Sequence, residues 1–305
     1  MKSKAEFLEL TAEYNMIPIY DEFIADIETP ISLYKKLALN KDYTYLLESS
    51  ENDRYSFIGL KPAAVLKNYA DHLEVIKNNK KEKLEGQEVV PYLQQQLAEF
   101  KVYENEKLPP FSGGFVGYFN YEMIEKWEDI YHLEADKELK KDKTPLSLLV
   151  MSKIIIAYDH LHNTVKIINN IKVNGSLSRR DKEGIYLEAK TEIKKIKAEI
   201  ENNNSKLKSA VVNLDLKEDK ELKSNTTKRE YKKMVEKAKK HIKAGDIFQI
   251  VLSQKFSIEN DLPPFKIYRA LRSVNPSPYS FYLNFPEIKI IGSSPEVLVR
   301  VRGQR

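Results

Sequence analysis

Gln249 is an amide placed among apolar residues, where a polar side chain needs a reason. Residues 247–256 are apolar at alternating and intervening positions, which predicts an interior strand covered on both faces. Gln249 shares a face with Ile247 and Val251, so the pattern predicts a buried amide. A buried amide without hydrogen bonds costs about 1–3 kcal/mol. The pattern alone favours a glutamine that ties two strands together, and the alternative is an amide that faces a reaction centre.

A second candidate is the segment at residues 275–280, which reads Asn-Pro-Ser-Pro-Tyr-Ser. Proline fixes φ and has no amide hydrogen, so alternating prolines leave nearby carbonyl groups without neighbouring donors. Such a segment is able to form a rigid lip that presents backbone acceptors to a ligand. An ordinary loop that leads into a strand is the interpretation that the pattern favours by itself.

Two further candidates have simpler explanations. Residues 111–119 are rich in glycine and aromatic residues, but they lack the Gly-Lys-Ser/Thr ending and the dinucleotide spacing of phosphate-binding loops. Close packing of the backbone in a buried turn is therefore the favoured role for these glycines. His160 and His162 could bind a metal ion, but two histidines in the polar segment 159–163 more often belong to a turn.

The composition excludes several classes of protein. With 42% hydrophobic and 31% charged residues and a net charge of +5, the 305-residue chain is typical of a soluble globular protein. Its lysines are interspersed with acidic residues, which argues against a nucleic-acid partner. The sequence contains no apolar run of about 18 residues, so it predicts no membrane span. Residues 1–13 lack the apolar core of a secretory signal. The absence of cysteine excludes disulfides and thiolate metal sites. We therefore expect a cytoplasmic protein.

The elements that must position the candidate residues are indicated along the whole chain. Thr29-Pro30 predicts a capped helix start, and Thr-Lys-Arg-Glu at 227–230 has the spacing of a capping box before another helix. A long amphipathic helix is predicted over 181–200, followed by a linker at 201–226 that is rich in Asn, Ser and Lys. Strands are predicted at residues 45–47, 55–58, 64–66, 73–76, 151–158, 164–173, 279–285, 288–291 and 297–301. This order favours an α+β fold over a doubly wound sheet.

The motifs of the chain resemble those of anthranilate synthase component I, in the superfamily of chorismate-binding enzymes. In the second half the similarity is carried by Ala-Gly-Asp-Ile-Phe-Gln-Ile-Val-Leu-Ser at 244–253, Asn-Pro-Ser-Pro-Tyr at 275–279 and Gly-Ser-Ser-Pro-Glu at 292–296. In the first half it is carried by Thr29-Pro30, Leu-Leu-Glu-Ser at 46–49, Arg-Tyr-Ser-Phe-Ile-Gly at 54–59 and the glycine-rich stretch at 113–118. These motifs occur in the family's order, so the resemblance covers essentially the whole chain.

The resemblance implies the anthranilate/aminodeoxychorismate synthase-like fold, an α+β fold of antiparallel sheets with flanking helices, here incomplete at the C-terminus. It implies an N-terminal regulatory region at residues 1–200, the linker at 201–226, and the start of the chorismate-binding catalytic region at 227–305. The implied activity is that of the large subunit, which converts chorismate and ammonia to anthranilate and pyruvate in tryptophan biosynthesis. Members use Mg²⁺, and a separate glutamine amidotransferase subunit supplies the ammonia.

Gln249 acquires a specific meaning from the resemblance. Relatives that add water to chorismate have a lysine at the matching position, and a desolvated lysine can act as a general base. Ammonia carries its own lone pair and needs no such base. The neutral amide of Gln249 therefore suits amination and disfavours isochorismate formation. The implied reaction adds ammonia at C2 with loss of the C4 hydroxyl, and pyruvate is then eliminated.

The resemblance also implies a binding site for the feedback inhibitor L-tryptophan. Ser49 would hydrogen-bond the ligand, and Pro278, Tyr279 and Ser280 would line its pocket. A zwitterion needs hydroxyl and carbonyl partners, while an indole needs an apolar wall. The family commonly has methionine where this chain has Ser280, so the effect of this smaller, polar side chain on inhibition depends on whether the contact is through the backbone.

The chain departs from the family's pattern at its end. The family continues with a threonine-rich chorismate loop, a catalytic histidine, the glutamates that hold Mg²⁺, and an arginine and a tyrosine that bind substrate carboxylates. The Mg²⁺ ligands are thus expected beyond residue 305, and residues 1–305 alone are expected to be inactive. Two alternatives remain at this point: aminodeoxychorismate synthase component I, and a non-catalytic tryptophan-binding fragment.

Overall fold

A computed structural model of the chain describes residues 3–49, 54–128, 144–202 and 222–301. The chain divides into two compact units. The first contains Met1–Lys208 together with Pro264–Arg305, and the second contains Ser209–Pro263. Two strands and one helix from the predicted catalytic region therefore belong to the first unit. The domain boundaries given above remain a prediction.

The described part of the chain contains six α-helices, one 3-10 helix and twelve strands. The α-helices are α1 (Lys4–Leu10), α2 (Pro30–Leu37), α3 (Val89–Ala98), α4 (Arg179–Asn202), α5 (Lys228–Ala244) and α6 (Pro264–Val274), and the 3-10 helix is Tyr121–Lys126. The strands are β1 (Met16–Ile24), β2 (Thr44–Glu48), β3 (Tyr55–Asn68), β4 (His72–Lys77), β5 (Lys80–Glu85), β6 (Phe115–Phe119), β7 (Ser147–Asp159), β8 (Thr164–Lys172), β9 (Lys223–Ser224), β10 (Phe256–Ser257), β11 (Tyr279–Asn284) and β12 (Lys289–Ser294).

A ten-stranded sheet forms the centre of the first unit. Its main order is β1-β8-β7-β3-β2-β11-β12, with β4 on β3, β5 on β4 and β6 on β7. All of the strand pairs in this sheet are antiparallel. The long strands β3 and β7 pair along nearly their whole length, with a register shift between Pro62 and Ala64. The predicted α+β class with antiparallel sheets and flanking helices is confirmed.

The hydrophobic core lies on both faces of the sheet because each strand alternates its side chains. One face carries residues such as Leu46, Ile58 and Tyr282, and it is covered by apolar residues of α1, α2, α4 and α6. The opposite face carries Tyr45, Val65 and Leu283. The alternation places the side chains of neighbouring β2 residues on opposite faces of the sheet, so adjacent candidate residues can have different surroundings.

Local signals in the sequence are followed closely by the structure. Thr29 and Thr227 both form capping boxes, in which the hydroxyl accepts from the third helical amide and the third side chain accepts from the cap amide. The glycines at residues 111–119 support close packing, since a Cβ on Gly117 would lie 1.8 Å from the Leu148 carbonyl oxygen. The strands predicted at residues 64–66 and 73–76 lie in β3 and β4, which pair antiparallel as a hairpin.

Two strand predictions are wrong. In the second unit, residues 247–255 lie outside any strand, and the described ladder there is limited to the two-residue pairing of β9 with β10. Phe248 is 92% exposed and Val251 is 83% exposed. In the first unit, residues 297–301 also lie outside any strand, and Leu298 is fully exposed. An apolar pattern records a preference for burial, but a strand forms only where another strand accepts its hydrogen bonds.

Within the residues that the structure describes, we find no helix of sufficient length and apolar character to cross a membrane.

Candidate functional site

The two segments predicted to bind one ligand are adjacent in the sheet. Strand β2 lies between β3 and β11, and Glu48 is paired with Ser280 while Leu47 is paired with Phe281. On the other side, Leu47 is paired with Phe57 of β3. Ser49 directly follows β2, and Tyr279 begins β11, so both adjoin the Glu48–Ser280 pair. The fold therefore brings the ends of these two segments together, although they are far apart in the sequence.

The lip at residues 275–280 is held by hydrogen bonds around Ser277. The buried Ser277 hydroxyl donates to the carbonyl oxygen of Ser294, at the end of β12. The Ser277 hydroxyl oxygen also accepts from the amide of Tyr279 at 3.3 Å, and the Ser293 hydroxyl donates to the Asn275 carbonyl at 2.7 Å. These contacts fix the segment between Pro276 and Pro278, whose φ angles are already restricted. The lip is thus a fixed edge beside β12.

Alternation along β11 separates the predicted ligand-binding side chains. Ser280 is buried, shares its face with Tyr282 and Glu48, and its hydroxyl lies 3.4 Å from the Ser277 carbonyl oxygen. Tyr279 belongs to the opposite face, the face of Leu47 and Phe281, because side chains alternate along a strand. Alternation continued one residue beyond β2 predicts the same face for Ser49. The side chain of Ser280 is therefore directed away from the row formed by Ser49 and Tyr279.

An aromatic wall adjoins the row of Ser49 and Tyr279. Phe57 and Phe281 flank Leu47 on the two neighbouring strands. Phe111 meets Phe57 edge to face, with ring centroids 5.3 Å apart. Phe281 lies across Gly292 of β12, where a Cβ would approach the ring to 2.0 Å, so this ring position requires glycine opposite it. Half-buried rings in such a row are suited to contact a flat apolar ligand.

Glu48 forms a buried polar cluster on the other face of β2. Its side chain is 3% exposed, accepts a hydrogen bond from the Tyr268 hydroxyl and lies 3.1 Å from Nε of Arg272. Burial raises the pKa of the Glu48 carboxyl, although Arg272 and the Tyr268 hydroxyl oppose that shift. The other carboxylate oxygen, Oε1, is buried and accepts no hydrogen bond from the described residues. This cluster ties α6, which leads into the lip, to the end of β2.

The two candidate histidines have separate partners at the end of β7. His160 Nε2 lies 2.7 Å from the hydroxyl of buried Ser56, and burial lowers the pKa of His160, with the positive charge of Arg272 adding to the shift. His162 Nδ1 lies 3.1 Å from Asp159. Burial by itself would raise the pKa of Asp159, but its hydrogen bonds to Arg54 and His162 outweigh burial and lower that pKa well below its usual value. The histidines belong to a turn, as the sequence pattern favoured.

Gln249 does not have the surroundings that the sequence predicted. It belongs to the second unit, is exposed there, and lies outside any strand. The expected burial was wrong because no described strand of that unit pairs with residues 247–255, so the amide is not enclosed by apolar neighbours. Its proposed role in an active-site environment stays a prediction.

Sequence reasoning missed the residues that support the candidate site. Tyr268, Arg272, Phe57 and Phe111 become relevant only once β2, β3, β11 and α6 are known to lie together. Glu48 carried a signal that could have been used. It follows Tyr-Leu-Leu in a predicted strand and shares a face with Leu46, which predicts a buried carboxylate in need of partners.

Comparison with known proteins supports the relationship suggested by these motifs. The family model described as chorismate binding enzyme matches residues 43–305. Similar proteins include anthranilate synthase component 1 of Acetivibrio thermocellus, 38% identical over 96% of this chain and 58% of that protein. Another is anthranilate synthase component 1 of Aquifex aeolicus, 34% identical over 99% of this chain and 60% of that protein.

A solved structure is similar over most of the chain. The crystal structure of anthranilate synthase component I from Streptococcus pneumoniae has a TM-score of 0.58 and 28% identity, and it covers 92% of this chain and 58% of that one. The chain therefore spans about three fifths of the length of the relatives it matches.

Proposed function

Because the chain belongs to the chorismate-binding enzyme family, we propose that it functions in the large subunit of an anthranilate synthase, which converts chorismate and ammonia to anthranilate and pyruvate. The observation that carries the proposal is the similarity of 96–99% of this chain to proteins named anthranilate synthase component 1, at 34–38% identity. The amide at Gln249 supports amination rather than hydration, since it provides no general base for a water molecule.

The ammonia would come from a second component. The name component 1 of the relatives implies that another component works with them. We propose that this partner of the present chain is a glutamine amidotransferase, and that chorismate and ammonia react on the large subunit. This arrangement keeps the release of ammonia and its consumption on different polypeptides.

Mg²⁺ is the proposed cofactor, with ligands beyond residue 305. Mg²⁺ prefers six oxygen ligands, supplied by carboxylates, substrate and water. When bound, it would stabilise negative charge on chorismate. Within the described ranges, one group of three possible ligands lies together, and it includes a histidine nitrogen, which does not fit that preference. The described residues are therefore assigned no step that uses the ion.

Feedback inhibition by L-tryptophan is the proposed regulation, with the ligand at the row of Ser49 and Tyr279. The adjacent wall of Phe57, Phe111 and Phe281 offers an apolar surface of the kind that an indole needs. Pro278 would form part of the lip over the ligand. Since the side chain of Ser280 is directed to the other face of the sheet, we propose that it does not form part of this surface. Tryptophan binding would lower activity through coupling between the inhibitor site and the chorismate site.

A product assay tests the enzymatic proposal. The protein extended to the length of its relatives is mixed with chorismate, Mg²⁺ and ammonium, and products are followed by fluorescence and mass spectrometry. Anthranilate and pyruvate are expected. Aminodeoxychorismate would support the related component I instead, while a hydroxylated cyclohexadiene without an aromatic amine would contradict amination.

The isolated chain is tested separately. We propose that residues 1–305 alone produce no anthranilate, and turnover by them would contradict this. Calorimetry of the same chain with L-tryptophan tests the regulatory site, because both β2 and the lip are included. Absence of binding heat and of thermal stabilisation by tryptophan would remove the proposed inhibitor site and leave the enzymatic assay unaffected.

A further inference from the structure

Three side chains with metal-binding atoms meet at one end of the β4–β5 hairpin. Asp71 and His72 begin the hairpin, and His72 is paired with Glu85 across the ladder. One ligand atom from each residue can be chosen so that all three lie within 4.8 Å of one another. Within the described residues this is the one group of three or more His, Asp or Glu side chains with that spacing. The group offers one imidazole nitrogen and two carboxylates as possible ligands.

The imidazole of His72 is held in place by its surroundings. Its ring stacks on Tyr69, with centroids 4.7 Å apart and an interplanar angle of 17°. Its Nδ1 lies 2.7 Å from Oδ1 of Asp71, so this nitrogen is directed at the Asp71 carboxylate. The side chain of His72 is 17% exposed, whereas that of Asp71 is 72% exposed. The nitrogen ligand is therefore fixed at the base of a group that is open to solvent on its carboxylate side.

The backbone around the group is also fixed. The amide of Tyr69 donates to the carbonyl of His72 at 2.9 Å, and the amide of Gly86 donates to the carbonyl of Asp71 at 3.1 Å. These bonds close the β3–β4 turn and join it to the end of β5. The three candidate ligands are thus on backbone that needs no rearrangement, and only the exposed carboxylates must turn.

A cavity adjoins the group and gives space for further ligands. It has a volume of about 100 Å³, and its lining includes Asp71, His72, Tyr69 and Trp127. One water molecule occupies about 30 Å³ in the liquid, so the cavity has room for more than one. A metal ion at its edge could complete its coordination with water.

We propose that Asp71, His72 and Glu85 bind a divalent ion of the zinc class. Zn²⁺ accepts mixed imidazole and carboxylate ligands in a four-coordinate arrangement, and three protein ligands leave one position for water. Two carboxylates neutralise the charge of the ion. Mg²⁺ is a poor alternative because it prefers octahedral oxygen ligands. Lys83, which lies 2.7 Å from Glu85, would release that carboxylate when the metal enters.

The chain provides its own control for a histidine beside an aspartate. His241 lies 2.8 Å from Asp246 on an exposed surface, but this pair belongs to no three-residue group among the described residues. If adventitious binding to any His–Asp pair were enough, His241 and His72 would contribute equally. If the third ligand and the fixed ring are required, substitution of His72 or Glu85 weakens Zn²⁺ binding at the proposed site, and substitution of His241 does not.

Calorimetric titration with Zn²⁺ tests the site on the 305-residue chain and on the variants His72→Ala, Glu85→Gln and His241→Ala. We expect Zn²⁺ to bind the original chain at a site from which Mg²⁺ does not displace it. His72→Ala should weaken this binding at least tenfold, Glu85→Gln should weaken it several-fold, and His241→Ala should leave it unchanged. Nitrogen NMR of the imidazoles provides a second readout, in which Zn²⁺ should shift Nδ1 of His72 before any other histidine nitrogen.

Several results would overturn the inference. These are the absence of Zn²⁺ binding to the original chain, equal weakening by His72→Ala and His241→Ala, or an unshifted His72 nitrogen at saturation. Circular dichroism without metal tests whether His72→Ala is folded. Glu85 is exposed, so Glu85→Gln tests the site even if loss of the His72–Tyr69 stack disturbs the turn. Unchanged affinity in Glu85→Gln would contradict the three-ligand site.

Discussion

Residues 45–48 of strand β2 and residues 247–252 are both apolar stretches with one charged or amide side chain, yet they have different structures. Strand β2 has partners on both sides, and its polar residue, Glu48, is buried against Tyr268 and Arg272. Residues 247–255 lie outside any strand, and Gln249 is exposed. The difference shows that a hydrophobic pattern predicts which face of a strand would be buried. Whether the strand forms depends on distant segments that supply its hydrogen-bond partners.

Matched phenylalanine substitutions should give the largest difference between the two regions. Phe285, directly after β11, is fully buried, whereas Phe248 is almost fully exposed. Phe285→Ala should lower the free energy of unfolding by about 3–5 kcal/mol, since a buried ring leaves a cavity. Phe248→Ala should change it by less than about 0.5 kcal/mol. Denaturant titration measures both values, and a comparable loss in the two variants would contradict the contrast between a packed and an unpacked segment.

A second comparison uses two of the His–Asp pairs, Asp159–His162 at the end of β7 and Asp246–His241 in the second unit. Asp159 is buried beneath Arg54 and His162, whereas Asp246 and His241 are exposed. Asp159→Asn should lower the free energy of unfolding by about 1–2 kcal/mol at neutral pH, a value reduced because Arg54 is partly screened by solvent. Asp246→Asn should have no measurable effect.

The pH dependence of this effect has a defined sign. The pKa of Asp159 is lower in the folded protein than its unfolded value of about 3.9. Its stabilisation is therefore fully present above that unfolded value and is lost as the pH falls through it towards the folded pKa. Urea titrations of the original chain and Asp159→Asn should differ by a constant amount above about pH 5, and the difference should shrink progressively as the pH falls further. A difference that grows in acid would contradict the ionised pair.

The contrast also explains which features could be predicted from sequence. The capping boxes at Thr29 and Thr227 depend on residues three positions apart, so local reasoning is sufficient for them. The row that joins Phe57, Leu47 and Phe281 depends on pairing between distant strands, which periodicity does not specify. The family motifs indicated that Ser49 and Tyr279 belong to one site, but the face of each side chain required the register. The cluster around Glu48 required the position of α6 as well.

The smallest expected effect concerns the two faces of the candidate tryptophan site. Alternation continued beyond Glu48 predicts that Ser49 lies on the face of the aromatic wall, whereas Ser280 lies on the opposite, buried face. Loss of one hydrogen bond costs about 0.5–1.5 kcal/mol, so Ser49→Ala should weaken tryptophan binding by roughly two- to twelvefold. Ser280→Ala should change the affinity by less than about twofold, because strand alternation directs that hydroxyl away from the ligand. Calorimetry with both variants decides the matter: if Ser280→Ala weakened binding as much as Ser49→Ala, the ligand would lie on the face of Glu48 instead.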